Sequence, residues 1–168
     1  MRCDYFRLCF MARNGGFYVD ADEVYQDVDC EYLFEDGRLK LQPLCYEMST
    51  DTMVRAGIFT RRHADSPDWI FYVNNNPLIA PPGHPIIWQA LARATRTLLE
   101  DVDERRDIQS ITGPGNLTAS LVRHAVARQS SGSRDFAFLS NWEEISVSRW
   151  PLGYRSDQRN WRIWSRSQ

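Results

Sequence analysis

The chain has 168 residues, 43% of them hydrophobic and 25% charged, with a formal net charge of −2. That length suits one domain with a genuine core, and the charge leaves no basic field to recruit nucleic acid. No apolar run of about 18 residues predicts a transmembrane segment, and no signal peptide precedes the first helix. Cys3, Cys9, Cys30 and Cys45 show neither Cys-x-x-Cys pairing nor zinc-ligand spacing. They read as free, partly buried thiols, which points to a reducing, cytoplasmic compartment.

Residues 3–13 hold no helix breaker and predict a helix that stops at Gly15 and Gly16, because glycine accepts the left-handed backbone of a helix end. Asp4 and Arg7 lie three apart and neighbour each other on one face of that helix. An ordinary surface ion pair accounts for this spacing, and so does an acid and a guanidinium aimed together at a nucleotide sugar. Phe17, Tyr18 and Val19 predict a short buried strand, since aromatic and β-branched side chains fit a pleated surface. Asp20 and Asp22 fall on the same side of any strand that continues through them. Two hard oxygen donors at a strand end suit a divalent cation and leave positions open for a phosphate-bearing ligand. A solvated acidic turn is the plain alternative.

Residues 24–36 are acidic and aromatic and end in an Asp36-Gly37 turn. Residues 39–48 and 53–59 alternate as short strands, 61–67 form a polar loop, and 69–73 read as a buried strand. Pro77 and the Pro81-Pro82-Gly83 run break the chain around a second short strand. Pro85 suits a first helical position, and Ile86, Ile87, Ala90, Leu91, Ala94, Leu98 and Leu99 give a helical stripe. His84, just before that helix, reads as a local cap rather than a catalyst. A last helix starts near Asn116 and carries Leu117, Leu121, Val122 and Val126. Ahead of it, Gly113-Pro114-Gly115 is either a helix-start turn or a set of backbone N–H groups offered to a ligand oxygen. Asn75 and Asn76 suit turn positions, and His63 and His124 have no metal-ligand spacing. After a linker at 130–134, residues 136–139 predict a late strand, followed by a tail rich in tryptophan and arginine from 142 to 164.

Asp4-Tyr5-Phe6-Arg7 followed by Asn14-Gly15-Gly16-Phe17-Tyr18-Val19-Asp20-Ala21-Asp22 resembles the S-D-x-x-R and G-G-x-Y-x-D-x-D core of a glycosyltransferase family. This is the DXD sugar-binding group that includes initiating mannosyltransferases, capsular polysaccharide enzymes and the clostridial glucosylating toxins. The step of sixteen residues from Asp4 to Asp20 fits that group. Further on, Asn75-Asn76-Pro77-Leu78-Ile79-Ala80 with Gly83-His84-Pro85, and Thr112-Gly113-Pro114-Gly115-Asn116-Leu117-Thr118, are similar to its later blocks more loosely.

The resemblance implies an α/β fold, a mixed sheet with flanking helices, forming the C-terminal portion of a GT-A-like domain over residues 1–168. It further implies that the half cradling the nucleotide base is missing ahead of Asp4, so that Cys9, Phe10 and Met11 lack packing partners. The implied reaction moves a hexose from a nucleotide diphosphate sugar to a hydroxyl of a glycan, lipid-linked or protein acceptor. Asp20 and Asp22 are the implied ligands of a manganese or magnesium ion, and Asp4, Arg7 and Asn76 the implied donor-sugar contacts. Gly113, Pro114 and Trp150 fall on the loop and acceptor side, and no catalytic base is assigned. A truncated sugar-binding module without turnover is the rival expectation, and an interaction domain with an incidental acidic pair is another.

Overall fold

The computed structural model describes residues 1–100, 107–132 and 134–149. Trp150 and the tail beyond it lie outside the described residues. In chain order the elements are α1 (Arg2–Asn14), β1 (Gly16–Tyr18), β2 (Glu23–Tyr25), β3 (Leu39–Glu47), β4 (Thr52–Val54), α2 (Ala56–Phe59) and β5 (Trp69–Ala80). They are followed by α3 (Pro85–Leu99), α4 (Ile108–Ile111), α5 (Pro114–Ala127), β6 (Phe136–Phe138), α6 (Trp142–Ile145) and β7 (Ser146–Ser148).

The main sheet runs β1-β5-β3-β4, with β6 added to β3. Its pairs are antiparallel except β3 with β6, which is parallel. The expected mixed α/β sheet with flanking helices is therefore present. A separate antiparallel ribbon joins β2 to β7, pairing Glu23 with Ser148 and Tyr25 with Ser146. Among the described residues, no helix is long and apolar enough to cross a membrane.

Side-chain alternation along the strands divides the core in two. One face of the sheet packs Leu39, Leu41, Val73, Leu78 and Ala80 against Leu8 and Met11 of α1, Ile86, Ile87 and Ala90 of α3, and Leu117 of α5. Ile79, between Leu78 and Ala80, turns the other way and packs with Leu33, Leu139, Trp142 and Ile145. Met11, expected to lack partners, is fully buried, whereas Phe10 is about half exposed.

Several sequence expectations are corrected. Residues 69–80 form one strand, not two separated at Pro77. The ladder with β3 shifts between Leu41, opposite Leu78, and Pro43, opposite Val73. Pro77 thus sits in a bulge where no ladder partner needs its missing N–H. Residues 56–59 coil into α2 instead of extending the strand that ends at Val54. Leu98 and Leu99 are exposed because the buried stripe of α3 stops at Ala94. In α5 the inward line is Leu117, Ser120, Leu121 and His124. A period of 3.6 then sends Val122 and Val126 outward, as their exposure records. That helix begins two residues earlier than expected, with Pro114 in its first turn. The short elements β2, α4, α6 and β7 carried no clear sequence signal.

Candidate functional site

The site is assembled where α1 hands over to β1. Gly15 makes the handover possible, with φ at 62° and its missing Cβ directed at the backbone of Ala80, Pro81 and Pro82. A side chain there would meet Pro82 N at 2.4 Å. The helix end is therefore pressed onto the end of β5, and β1 can pair at once with Leu78, Ile79 and Ala80. This brings Arg7, on α1, beside Tyr18 and Asp20.

Arg7 is nearly buried, with 7% of its surface exposed. Its Nη1 donates to the Asn75 carbonyl at 2.8 Å, and Nη2 donates to Tyr18 Oη at 2.8 Å and Asp20 Oδ1 at 3.0 Å. The guanidinium carbon also lies 4.1 Å from the Tyr18 ring centroid, a cation–π contact strengthened by exclusion of water. Tyr18 in turn donates its hydroxyl proton to Asp20 Oδ1 at 2.8 Å. Asp4 lies beside the same guanidinium, 3.7 Å from Nη2, and its Oδ1 accepts from Asn75 Nδ2 at 3.1 Å. Arg7 Nε is buried without a partner among the described residues. Of the two readings of the Asp4 and Arg7 spacing, an ordinary surface pair does not describe it. Arg7 is buried in a polar junction that spans α1, β1 and β5, with Asp4 and Asp20 partly exposed at its edge.

Asp20 and Asp22 do not lie on a strand. β1 ends at Tyr18, and residues 20–23 turn, closed by Glu23 N–H donating to the Asp20 carbonyl at 3.1 Å. Asn76 pins this turn to β5. Its Oδ1 accepts from Asp20 N–H at 2.9 Å and its Nδ2 donates to Glu23 Oε1 at 2.7 Å. Only this orientation of the amide satisfies both neighbours. With 6% exposure and both ends of its amide engaged, Asn76 holds the acidic turn in place. The C-terminal strand closes the other side: Ser146 Oγ donates to Glu23 Oε2 at 2.5 Å, Ser148 Oγ to Asp22 Oδ2 at 3.2 Å, and Arg149 N–H to the Asp22 carbonyl at 2.7 Å.

The electrostatics of the turn are unbalanced. Burial pushes the Asp20 carboxyl above its ordinary value; Arg7 and the Tyr18 hydroxyl pull it back, and Asp22 and Glu23 push it up again. Burial likewise raises the Tyr18 phenol, helped by its hydrogen bond to Asp20. Asp4 and Asp20 share the Arg7 guanidinium, and Asp22 and Glu23 pair with no cation among the described residues. Asp20 Oδ2 and Asp22 Oδ1 accept no hydrogen bond from a described residue. Two hard oxygens in a field where carboxylates outnumber cations among the described residues have the donor chemistry a divalent cation takes. No group of three or more His, Cys, Asp or Glu among the described residues forms a fuller metal cage.

Gly113 and Pro114 are placed at the start of α5, where Gly113 and Gly115 permit close packing on Gln109. Their spacing is accounted for by that helix contact. His84 acts as the cap the sequence led one to expect, its Nδ1 accepting from Ile86 N–H at 3.3 Å. Sequence reasoning missed Tyr18, Glu23, Asn75, Ser146 and Ser148 as members of the site. Tyr18 had a signal, its place two residues before Asp20, whereas the serines are ordinary residues brought in by pairing of β7 with β2.

No protein-family profile matches the chain, and no curated protein matches it. Among solved structures it is similar to the PaToxG glycosyltransferase, at 17% sequence identity and a TM-score of 0.47. That alignment covers 77% of this chain and 36% of the other, so the chain spans little more than a third of that structure's length.

Proposed function

We propose that the Arg7, Tyr18 and Asp20 junction with its acidic turn is the donor site of a metal-dependent glycosyltransferase, which moves a hexose from a nucleotide diphosphate sugar to an acceptor hydroxyl. The observation that carries this reading is the closure of the Asp4-x-x-Arg7 helix face onto Tyr18-x-Asp20, with Arg7 almost buried between them. An isolated acidic turn has no use for a guanidinium held by three partners. A site that must present two carboxylates in fixed directions does.

In this reading Asp20 and Asp22 hold manganese or magnesium through Oδ2 and Oδ1, the oxygens left free by their protein partners. The ion supplies positive charge that offsets the negative charge developing on the leaving diphosphate. Arg7 and Tyr18 lock Asp20 through its other oxygen, so that the carboxylate needs no reorganisation when the donor binds. Asp4 and Arg7, fixed by Asn75, border the sugar and reduce the entropic cost of aligning it for attack. Asn76 serves the site by holding the turn. The bond from the anomeric carbon to the diphosphate oxygen breaks, one to the acceptor oxygen forms, and the hydroxyl proton leaves. The acceptor is a glycan, lipid-linked or protein hydroxyl.

A thermal-shift titration with Mn2+ plus UDP or GDP tests the reading, since a specific ligand stabilises the fold by mass action. The expected result is a metal-dependent nucleotide shift that disappears in Asp20→Asn/Asp22→Asn, with slow hydrolysis of a nucleotide sugar donor. A shift without donor hydrolysis would favour a binding module. No shift in folded protein would sink the proposal for this chain.

A further inference from the structure

We propose that Glu23 is a positioning residue that makes the C-terminal strand β7 part of the acidic site. The inference rests on the donor-site reading and extends it to a residue and a strand not among the carboxylates and sugar contacts assigned above. Glu23 lies at the first position of β2, between two buried neutral donors. Its Oε1 accepts from Asn76 Nδ2 at 2.7 Å, and its Oε2 accepts from Ser146 Oγ at 2.5 Å. Asn76 and Ser146 are 6% and 5% exposed, so neither bond is readily replaced by water. Loss of the carboxylate would leave the Asn76 amide donor unpaired and Ser146 Oγ with only its longer bond to the Val24 carbonyl at 3.2 Å.

The chain of bonds continues from Asn76 Oδ1 to the Asp20 N–H at 2.9 Å. Ser146 and Asp20, 126 residues apart in sequence, are thereby joined by three consecutive hydrogen bonds through Glu23. The β2 and β7 ribbon is only three residues wide, pairing Glu23, Val24 and Tyr25 with Ser148, Val147 and Ser146. Outside that ladder it is tied down by Gln26 N–H donating to the Ile145 carbonyl and by the Arg149 and Ser148 contacts to Asp22. So short a ribbon has little stability of its own. Glu23 gives it a fixed point on β5, and through it the seating of β7 sets the direction in which the Asp20 and Asp22 carboxylates are presented. No described cation pairs with Glu23, so its role is to orient by hydrogen bonding. A glutamine is able to do the same, with Oε1 accepting from Asn76 and Nε2 donating to a rotated Ser146 hydroxyl.

The test uses the full chain and two readouts. The first is amide hydrogen exchange at Asp20 and across residues 145–149. The second is Mn2+ affinity by electron paramagnetic resonance. Glu23→Ala and Ser146→Ala are each expected to speed exchange of the Asp20 amide by roughly tenfold while α3 and α5 keep their protection. Glu23→Ala is expected to weaken Mn2+ binding by about tenfold or more, the usual cost of removing a residue that orients metal ligands. Glu23→Gln should restore the exchange pattern and bring Mn2+ affinity back to within about threefold of the parent. Unchanged Asp20 exchange in both alanine variants would overturn the proposal. So would faster exchange with unaltered Mn2+ affinity, which would make the contact purely structural. If the parent protein binds no Mn2+, the donor-site reading fails by itself, and Asp20 exchange in Ser146→Ala still decides whether β7 and the acidic turn are coupled.

Discussion

Two polar junctions hold this fold together, and they differ in how their charges balance. At the first, Asp135 joins α3, α5 and the sheet. His84 Nε2 donates to its backbone carbonyl at 2.9 Å, His124 Nε2 donates to its carboxylate at 2.9 Å, and Arg128 approaches that carboxylate at 3.6 Å. One anion faces several donors, and the two imidazoles are almost entirely buried. At the second, Asp20 and Asp4 share Arg7, while Asp22 and Glu23 beside them pair with no cation among the described residues. Burial and mutual repulsion hold Asp20 protonated to higher pH than an ordinary carboxyl. A balanced junction serves the fold. An unbalanced one costs stability and is retained where a ligand supplies the missing charge.

The sharpest way to break the comparison is to remove the cation of the second junction. Arg7→Met should cost about 3 kcal/mol, at the low end for breaking a buried charge network because Asp20 is partly open to water. Urea denaturation measures that loss, and the Mn2+ and nucleotide response should vanish with it. His124→Leu should cost about 1–2 kcal/mol, since an apolar side chain fills the space but leaves Asp135 with fewer donors. Its Mn2+ response should match the parent's. A variant at His124 that abolished the response as fully as Arg7→Met would erase the distinction between the junctions.

A smaller effect separates them by pH. Burial lowers the His84 pKa from 6.5, outweighing the hydrogen bond to the Asp135 carbonyl and the nearby Asp135 carboxylate. Geometry agrees, because Nδ1 accepts from Ile86 N–H and Nε2 donates to Asp135, a pairing only the neutral ring provides. The folded protein then binds fewer protons at this site than the unfolded chain. Its contribution is complete above the unfolded value and is lost as pH falls through 6.5 toward the folded one. Unfolding free energy measured between pH 7.5 and about 5.5 should therefore decline with acid, and His84→Asn, which can still cap α3, should flatten the slope. An unchanged slope would show that His84 does not titrate as its surroundings require.

The two junctions were also unequally legible in the sequence. Asp4 and Arg7 could be picked out because helical spacing joins them, whereas Asp20 and Asp22 were picked out as a pair of carboxylates one residue apart, on an expected strand that is in fact a turn. What carried their assembly, Gly15 pressed onto Pro82, is a tertiary contact with no local pattern beyond the glycine itself. The long helices α1, α3 and α5 were readable from periodicity and breakers. The two short strands β2 and β7 were not, because three residues hold too little pattern and depend on each other across 120 or so positions. Glu23 and Ser146 were invisible for that reason. The histidine junction was half legible: His84 could be read as a cap, but the link from His124 to Asp135 depends on where β6 returns to the sheet.

The smallest expected change in stability is the most informative for the second junction. Asp20→Asn keeps an oxygen to accept from Arg7 and Tyr18 and replaces the other oxygen by an amide. Because the folded-state pKa of Asp20 is raised, its contribution is full below the unfolded value of 3.8 and is lost as pH rises through the folded value. At neutral pH the wild-type carboxylate is therefore held against a net penalty, which the partial exposure of the group keeps small. Asp20→Asn should unfold within about 0.5 kcal/mol of the parent, or slightly later, in the absence of metal. In the presence of Mn2+ and nucleotide the order should reverse, since only the parent gains ligand stabilisation. If Asp20→Asn were instead as damaging as Arg7→Met without metal, the carboxylate would be a structural partner of Arg7, and the imbalance at this junction would have no bearing on a ligand.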